Sequence, residues 1–185
     1  MGPLIEGAAP AAAALLDGIA CPPVAVVALG YGAEALAAVP RGFGALIPRE
    51  EGYRILGCLW DTHLFAGRSP EGRLLVRCML GGAVDPEAGS LDPRDLVRAA
   101  REDLARLFDL HEAPVFEEVV RWPRAIPQYE LGHLQRVQDL ERELQRHRGL
   151  FAAGNALHGV SFGKAAAAGA AAAERALEQL ARGTR

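Results

Sequence analysis

The chain has 185 residues, a formal net charge of −3 and 50% hydrophobic residues, enough for one ordinary domain or a large piece of a bigger one. The near-neutral balance excludes the electrostatic footprint of a nucleic-acid binder. No uninterrupted apolar run reaches the roughly 18 residues that would cross a bilayer. Residues 1–20 are alanine-rich and are predicted to be helical to about Gly18; they have no basic start, and Glu6, Pro10 and Asp17 interrupt them, so they do not form a signal peptide. After Pro22-Pro23, residues 24–29 are a β-branched apolar run and read as a buried strand. Residues 30–42 read as a loop with at most one helical turn. Three further strands are predicted at 44–47, 54–60 and 74–80, with breakers at 48–52 and 67–72; such spacing suggests an antiparallel meander. Cys21, Cys58 and Cys78 form no CxxC pair and lie in apolar runs, which fits reduced core residues in a reducing, cytoplasmic compartment.

Asp92-Pro93 opens the clearest helix. Asp92 can cap it, Pro93 suits the first helical position and Asp95 lies in the first turn. Leu96, Val97, Ala100, Leu104, Leu107 and Phe108 repeat at helical spacing, while Arg94, Arg98, Arg101, Glu102 and Asp103 form the polar face. Pro114 follows the end, and 115–120 reads as another strand. Residues 121–132, with two prolines and two aromatics, are too irregular for helix or strand. Leu134, Val137, Leu140 and Leu144 mark a second amphipathic helix. Residues 150–153 are expected to form a short strand that runs into Gly154-Asn155 and a glycine-punctuated turn. The chain then finishes in an alanine-rich helix to about Ala181. The fold class is α+β, with a mixed, mainly antiparallel sheet and flanking helices.

Two segments could carry chemistry. A strand that stops at Gly154-Asn155 lets backbone approach a ligand, and the helix that follows begins with unpaired N–H groups and a partial positive charge. Such an end suits a phosphate or a flavin ring that becomes negative on reduction; it is equally the shape of an ordinary strand-turn-helix. Residues 121–133, rigid and carrying Trp122, could wall a large planar ligand or simply connect two elements. The titratable groups assemble into no acid–base pair. His63 and Asp61 are two apart, so on a strand they would share a face. His111, His133 and His147 fall near helix ends, and His158 lies in the glycine turn. No HxxxH, HExxH, GxSxG or GxGxxG occurs, so neither a metal site nor a dinucleotide fingerprint is expected.

Five segments in this order carry a resemblance: Gly42-Phe-Gly-Ala-Leu-Ile-Pro48, Leu56-Gly57 with Asp61 after Trp60, Met79-Leu-Gly-Gly82, Ile126-Pro-Gln-Tyr-Glu-Leu-Gly-His133, and Ala153-Gly-Asn155 with Gly159-Val160. From about Ile19 to Ala176 the chain resembles the oxygen-dependent protoporphyrinogen and coproporphyrinogen oxidases of haem synthesis, within the flavin amine oxidase superfamily. The resemblance implies that residues 1–148 are a portion of the substrate-binding domain. Residues 149–185 would be the C-terminal strand-helix unit of a Rossmann-like FAD domain whose N-terminal fingerprint is absent. It implies that Gly154, Asn155, Gly159, Val160 and Ser161 touch the flavin, that Trp122 lies close to its ring, and that Gly44, Leu46, Leu59 and Met79 line the porphyrinogen pocket. After the glycine turn the family carries a polar Asn-Asp-Cys-like stretch; here Ser161-Phe-Gly-Lys164 and alanines stand instead.

The function so implied is FAD-dependent oxidation of a porphyrinogen to a porphyrin with dioxygen as acceptor. Two other readings stay open: a split or truncated chain, inactive alone, that binds a separate N-terminal FAD-binding half or itself, and another flavin amine oxidase such as a carotenoid desaturase or monoamine oxidase. The Ile-Pro-Gln-Tyr segment argues against the last. Peripheral contact with the inner face of a membrane is left open by the composition.

Overall fold

Pro22-Pro23 ends the N-terminal helical segment and delivers the chain into a sheet. The computed structural model describes residues 2–183 and resolves them into two compact units, Pro22–Ala125 and residues 2–21 with 126–183.

The first unit is built on five strands: β1 (Val24–Tyr31), β2 (Gly44–Leu46), β3 (Ile55–Trp60), β4 (Leu74–Gly81) and β5 (Phe116–Trp122). Their order is β2-β3-β4-β1-β5, and every pairing is antiparallel. The predicted meander is therefore β2-β3-β4, and β1 lies between β4 and β5. Alternation assigns Ala25, Val27, Leu29 and Tyr31 of β1 to one face, with Val76, Cys78 and Leu80 of β4 and Cys58 and Trp60 of β3. All are buried, in one cluster with Leu96, Ala100 and Leu104 of α4 (Pro93–Phe108). Each valine or leucine among them contributes about 1.5–3 kcal/mol of burial. Trp60 meets Phe108 edge-on at 5.0 Å between centroids. Asp92 caps α4 by accepting from the Arg94 N–H at 2.9 Å, as expected.

Asp103 departs from its predicted place on the polar face of α4. It is 4% exposed, and one carboxylate oxygen accepts the N–H groups of Arg54 and Ile55 at 2.7 and 2.9 Å. Those donors precede the irregularity between Ile55 and Gly57, where β3 shifts register against β4. A buried N–H without a ladder partner must be satisfied, and Asp103 satisfies two.

The second unit is helical: α1 (Gly2–Ile5), α2 (Pro10–Asp17), α5 (His133–Leu144) and α6 (Phe162–Gly183). Its core joins Ala9, Ala12, Leu16 and Ile19 to Val137, Leu140, Leu144, Ala156 and Leu157. The short strand expected at 150–153 is not formed; this stretch has no ladder partner among the described residues, and a strand exists only by pairing. α6 is helical because alanine has the best intrinsic propensity, not because it is packed: Ala172 is the one hydrophobic residue of it that is buried.

Candidate functional site

The face of the sheet opposite α4 is open. In β2, Gly44 and Leu46 pair with Leu59 and Gly57 of β3; Leu59 pairs with Arg77 of β4 and Gly57 with Met79. Met79 pairs with Val26 of β1, and Val26 with Val120 of β5; Val24 pairs with Trp122. Directly paired residues share a face. Gly44, Leu46, Leu59 and Met79, expected together in one pocket, and Trp122, expected near the flavin ring, therefore stand on one side of one sheet. Leu46 is 87% exposed and Trp122 55%, while Leu59 and Met79 are half-buried. Large apolar side chains left in water in a contiguous patch mark a ligand or partner surface. Gly44 is required on backbone grounds: a Cβ there would lie 2.0 Å from the Cys58 carbonyl oxygen, and its φ is +151°.

Two charges stand in this face, Arg77 and, on β5, Glu118. Arg77, between Leu59 and Ala28 in the register, donates through Nε and Nη2 to both oxygens of Asp61. Asp61 is 3% exposed and opens a single helical turn, α3 (Asp61–Leu64), directly after β3. Asp61 and His63 do not share one strand face, contrary to expectation, because the chain coils there and the carboxylate is taken by arginine. The bond to Asp61 holds the Arg77 guanidinium more firmly charged than usual. Beside Arg77 the face continues into a cavity of about 640 Å³ with a floor of Ala28, Gly30, Leu75 and Phe116 and with Arg68, Arg73 and Glu118 also lining it.

The glycine turn belongs to the helical unit. Tyr129 holds it from both sides: its hydroxyl donates to the Asn155 carbonyl at 2.6 Å and accepts the Gly159 N–H at 2.6 Å. His133, 4% exposed, stacks on Tyr129 at 3.9 Å and places Nε2 3.1 Å from the Leu157 carbonyl, so that nitrogen carries the proton and donates. Its Nδ1 is buried and has no hydrogen-bond partner among the described residues. Tyr129 and His133 are the ends of the Tyr-Glu-Leu-Gly-His segment, so that motif is the clamp on the loop Gly154–Ser161. Sequence reasoning marked the motif and missed this role. Its signal was a tyrosine and a histidine four residues apart around a glycine that, at φ +86°, precedes α5.

The donor set of this loop fits the edge of a flavin in part. Gly154 and Gly159 take φ of +142° and +131°, conformations that side chains rarely adopt, and Val160 and Ser161 lead directly into the N-terminus of a 22-residue helix. The Ser161 hydroxyl accepts the Lys164 N–H at 3.2 Å, and the Gly159 N–H is consumed by Tyr129. The N–H groups of Val160 and Ser161 are the ones suited to an incoming acceptor. Trp122 lies in the sheet unit. His158 faces Glu141 at 3.3 Å, His147 faces Glu143 at 3.8 Å, and His111 meets Asp109 at 2.8 Å, which are surface pairings. Among the described residues no group of three or more His, Cys, Asp or Glu could hold a metal ion, and no helix is long and apolar enough to cross a membrane.

One unit carries an open antiparallel sheet and the other a tightly clamped glycine loop that leads into a helix; comparison with known proteins defines the class. Residues 3–177 match the family of flavin-containing amine oxidoreductases, and the chain belongs to that family. It is 35% identical over 164 residues to the chloroplastic protoporphyrinogen oxidase of Nicotiana tabacum, covering 83% of this chain and 30% of that protein. It is 31% identical over 158 residues to the coproporphyrinogen III oxidase of Bacillus subtilis (strain 168), covering 85% and 34%. The fold matches the crystal structure of a protein provisionally named protoporphyrinogen oxidase from Exiguobacterium sp. 255-15, with a TM-score of 0.81, 21% identity, and coverage of 96% of this chain and 40% of that one. The cofactor of such a family is FAD. The chain spans about a third of the length of these curated relatives.

Proposed function

We propose that the chain is the substrate-side portion of an FAD-dependent oxidase that converts a porphyrinogen to a porphyrin, with dioxygen as the final electron acceptor. The observation that carries this reading is the open sheet face on which Gly44, Leu46, Leu59, Met79 and Trp122 meet. A porphyrinogen is broad and mostly hydrophobic, and such a face supplies apolar area and excludes water from the reacting carbons. The relatives named above, protoporphyrinogen oxidase and coproporphyrinogen III oxidase, are consistent with it. When bound, FAD supplies hydride acceptance and reoxidation by dioxygen. Residues 149–185 then serve the flavin side: Gly154, Asn155 and Gly159 admit it closely, and Val160 and Ser161 offer N–H groups. No acid or base residue is assigned; this chain's contribution is orientation and an apolar surface. The remainder of the flavin site comes from another polypeptide segment, in the same protein or a partner chain, since no GxGxxG occurs in these 185 residues.

Titration of the chain with coproporphyrin III, followed by quenching of tryptophan fluorescence with Trp122→Phe as the control for the emission of buried Trp60, tests the face. The chain is expected to bind, and Leu46→Glu to weaken binding by about tenfold, the effect of putting a charge into an apolar contact, with unchanged circular dichroism. Full-strength binding by Leu46→Glu, or none by the unaltered chain, overturns the reading.

A further inference from the structure

Arg77 is out of place as a stabiliser of the fold. Partly exposed pairs contribute little, about 0–1 kcal/mol, and burying a carboxylate as deeply as Asp61 costs free energy that its partner only offsets. What the pair does achieve is to fix a guanidinium in one orientation on a mostly apolar face. Arginine has five N–H donors. Nε and Nη2 serve Asp61, and among the described residues no other acceptor meets the Arg77 side chain. One edge of the fork, the Nη1 side, is left for an anion. Arg77 is two residues from Met79, about 7 Å along the strand, and its cross-strand neighbours are Leu59 and Ala28. The cavity that begins at Ala28 carries Arg68 and Arg73 as well. The opposing charge is Glu118, exposed on β5 in the same row as Ala28.

We infer that Arg77 binds a propionate carboxylate of the tetrapyrrole, so that the acid-bearing edge of the substrate points to the cavity end of the sheet and the macrocycle lies over Leu59, Met79 and Val26. This rests on the sheet face being the tetrapyrrole surface. A planar fork against a planar carboxylate gives direction as well as affinity, and the spacing of about 7 Å from Met79 suits an arm leaving the ring edge. Glu118 sets a limit on the same end by repelling a second carboxylate that strays toward β5.

The test compares two probes in one mild detergent: coproporphyrin III, with free carboxylates, and its tetramethyl ester, which has the same ring and no charge. Arg77→Gln keeps a hydrogen-bond donor for Asp61 and removes the cation. It should weaken the acid about tenfold and leave the ester within about twofold. Glu118→Gln, at an exposed site that the fold does not need, should tighten the acid about twofold and leave the ester alone. If Arg77→Gln does not fold, Arg77→Lys and Glu118→Gln carry the comparison, with the lysine variant expected to weaken the acid about threefold. Equal effects on both probes, or none on either, overturn the role of Arg77 while the face still binds tetrapyrrole. Failure of the unaltered chain to bind either probe removes the face reading and this inference together.

Discussion

Cys58 and Cys78 stand directly opposite each other on β3 and β4, both fully buried and both free. Burial pushes the Cys58 thiol up to about 11, against a slight opposing effect of a backbone hydrogen bond with Ala45, and pushes Cys78 well above the ordinary range. The same cause raises the Tyr31 hydroxyl. A buried thiol without its thiolate is a poor nucleophile. An aromatic disulfide reagent at pH 8 is therefore expected to modify these two positions only as fast as the protein unfolds. The direction of the linked stability follows. Below about pH 8.5 the thiols are protonated in both states, and stability does not depend on them. Above it the unfolded thiols ionise while the folded ones do not. Stability then falls by about 1.4 kcal/mol per pH unit for each thiol, the Cys58 contribution levelling off near 11 and Tyr31 adding to the fall above about pH 10. Urea midpoints at a series of pH values check this: a flat profile from pH 8 to 10.5 contradicts the burial of both thiols.

At the scale of elements, the loop Gly154–Ser161 is held by one side chain on two sides. Tyr129→Phe removes both hydrogen bonds while keeping the ring against His133. Each such bond contributes about 0.5–1.5 kcal/mol, so the helical unit should lose about 1–2 kcal/mol, given that Tyr129 is partly exposed. Amide hydrogen exchange at Gly159 should accelerate as well; unchanged exchange there means the clamp is not holding the loop. The strands of the sheet unit were legible in the sequence because β-branched runs between glycine and proline breakers carry a period-two signal, and α4 because Asp92-Pro93 and the leucine spacing agree. What escaped was set by tertiary context. Asp103 has the chemistry of a surface helix residue, and only the bulge near Ile55 brings two unpaired N–H groups to it. Asp61 and His63 read as strand neighbours because nothing local announces the helical turn that puts Asp61 under Arg77. Residues 150–153 have strand-like composition, but pairing is a property of two segments, and no second one is at hand. The shared face of Gly44, Leu46, Leu59 and Met79 followed from alternation once the register was known; its use by a substrate is a proposal that alternation cannot make.

Large apolar side chains stand in water in both units. Leu46 and Trp122 stand out on the sheet, and in α6 Phe162 is 91% exposed and Leu177 66%. α6 runs for 22 residues, with alanine at most positions of its first half, a shape that lets another backbone approach closely. The chain spans about a third of the length of its curated relatives; on the proposed function, these surfaces are expected to be covered by further polypeptide of the family fold or, without it, by a second copy of the chain. Two results are expected of the protein alone. It should not retain FAD through gel filtration, since the loop Gly154–Ser161 offers only a few of the contacts a dinucleotide needs against the entropy of binding; a stoichiometric flavin spectrum after the column contradicts this. It should also associate at micromolar concentration, with a light-scattering mass above the 19.6 kDa of one chain. Because the attraction is apolar, it should persist when salt is raised, whereas charge-driven association would weaken within a screening length of about 8 Å at physiological ionic strength. Leu177→Glu places a charge on the exposed side of α6 without touching either core, so it should shift the mass toward the monomer while the circular dichroism stays the same. A monomer at every salt concentration in the unaltered chain, with α6 intact, would show that these surfaces are tolerated in water and are not interfaces.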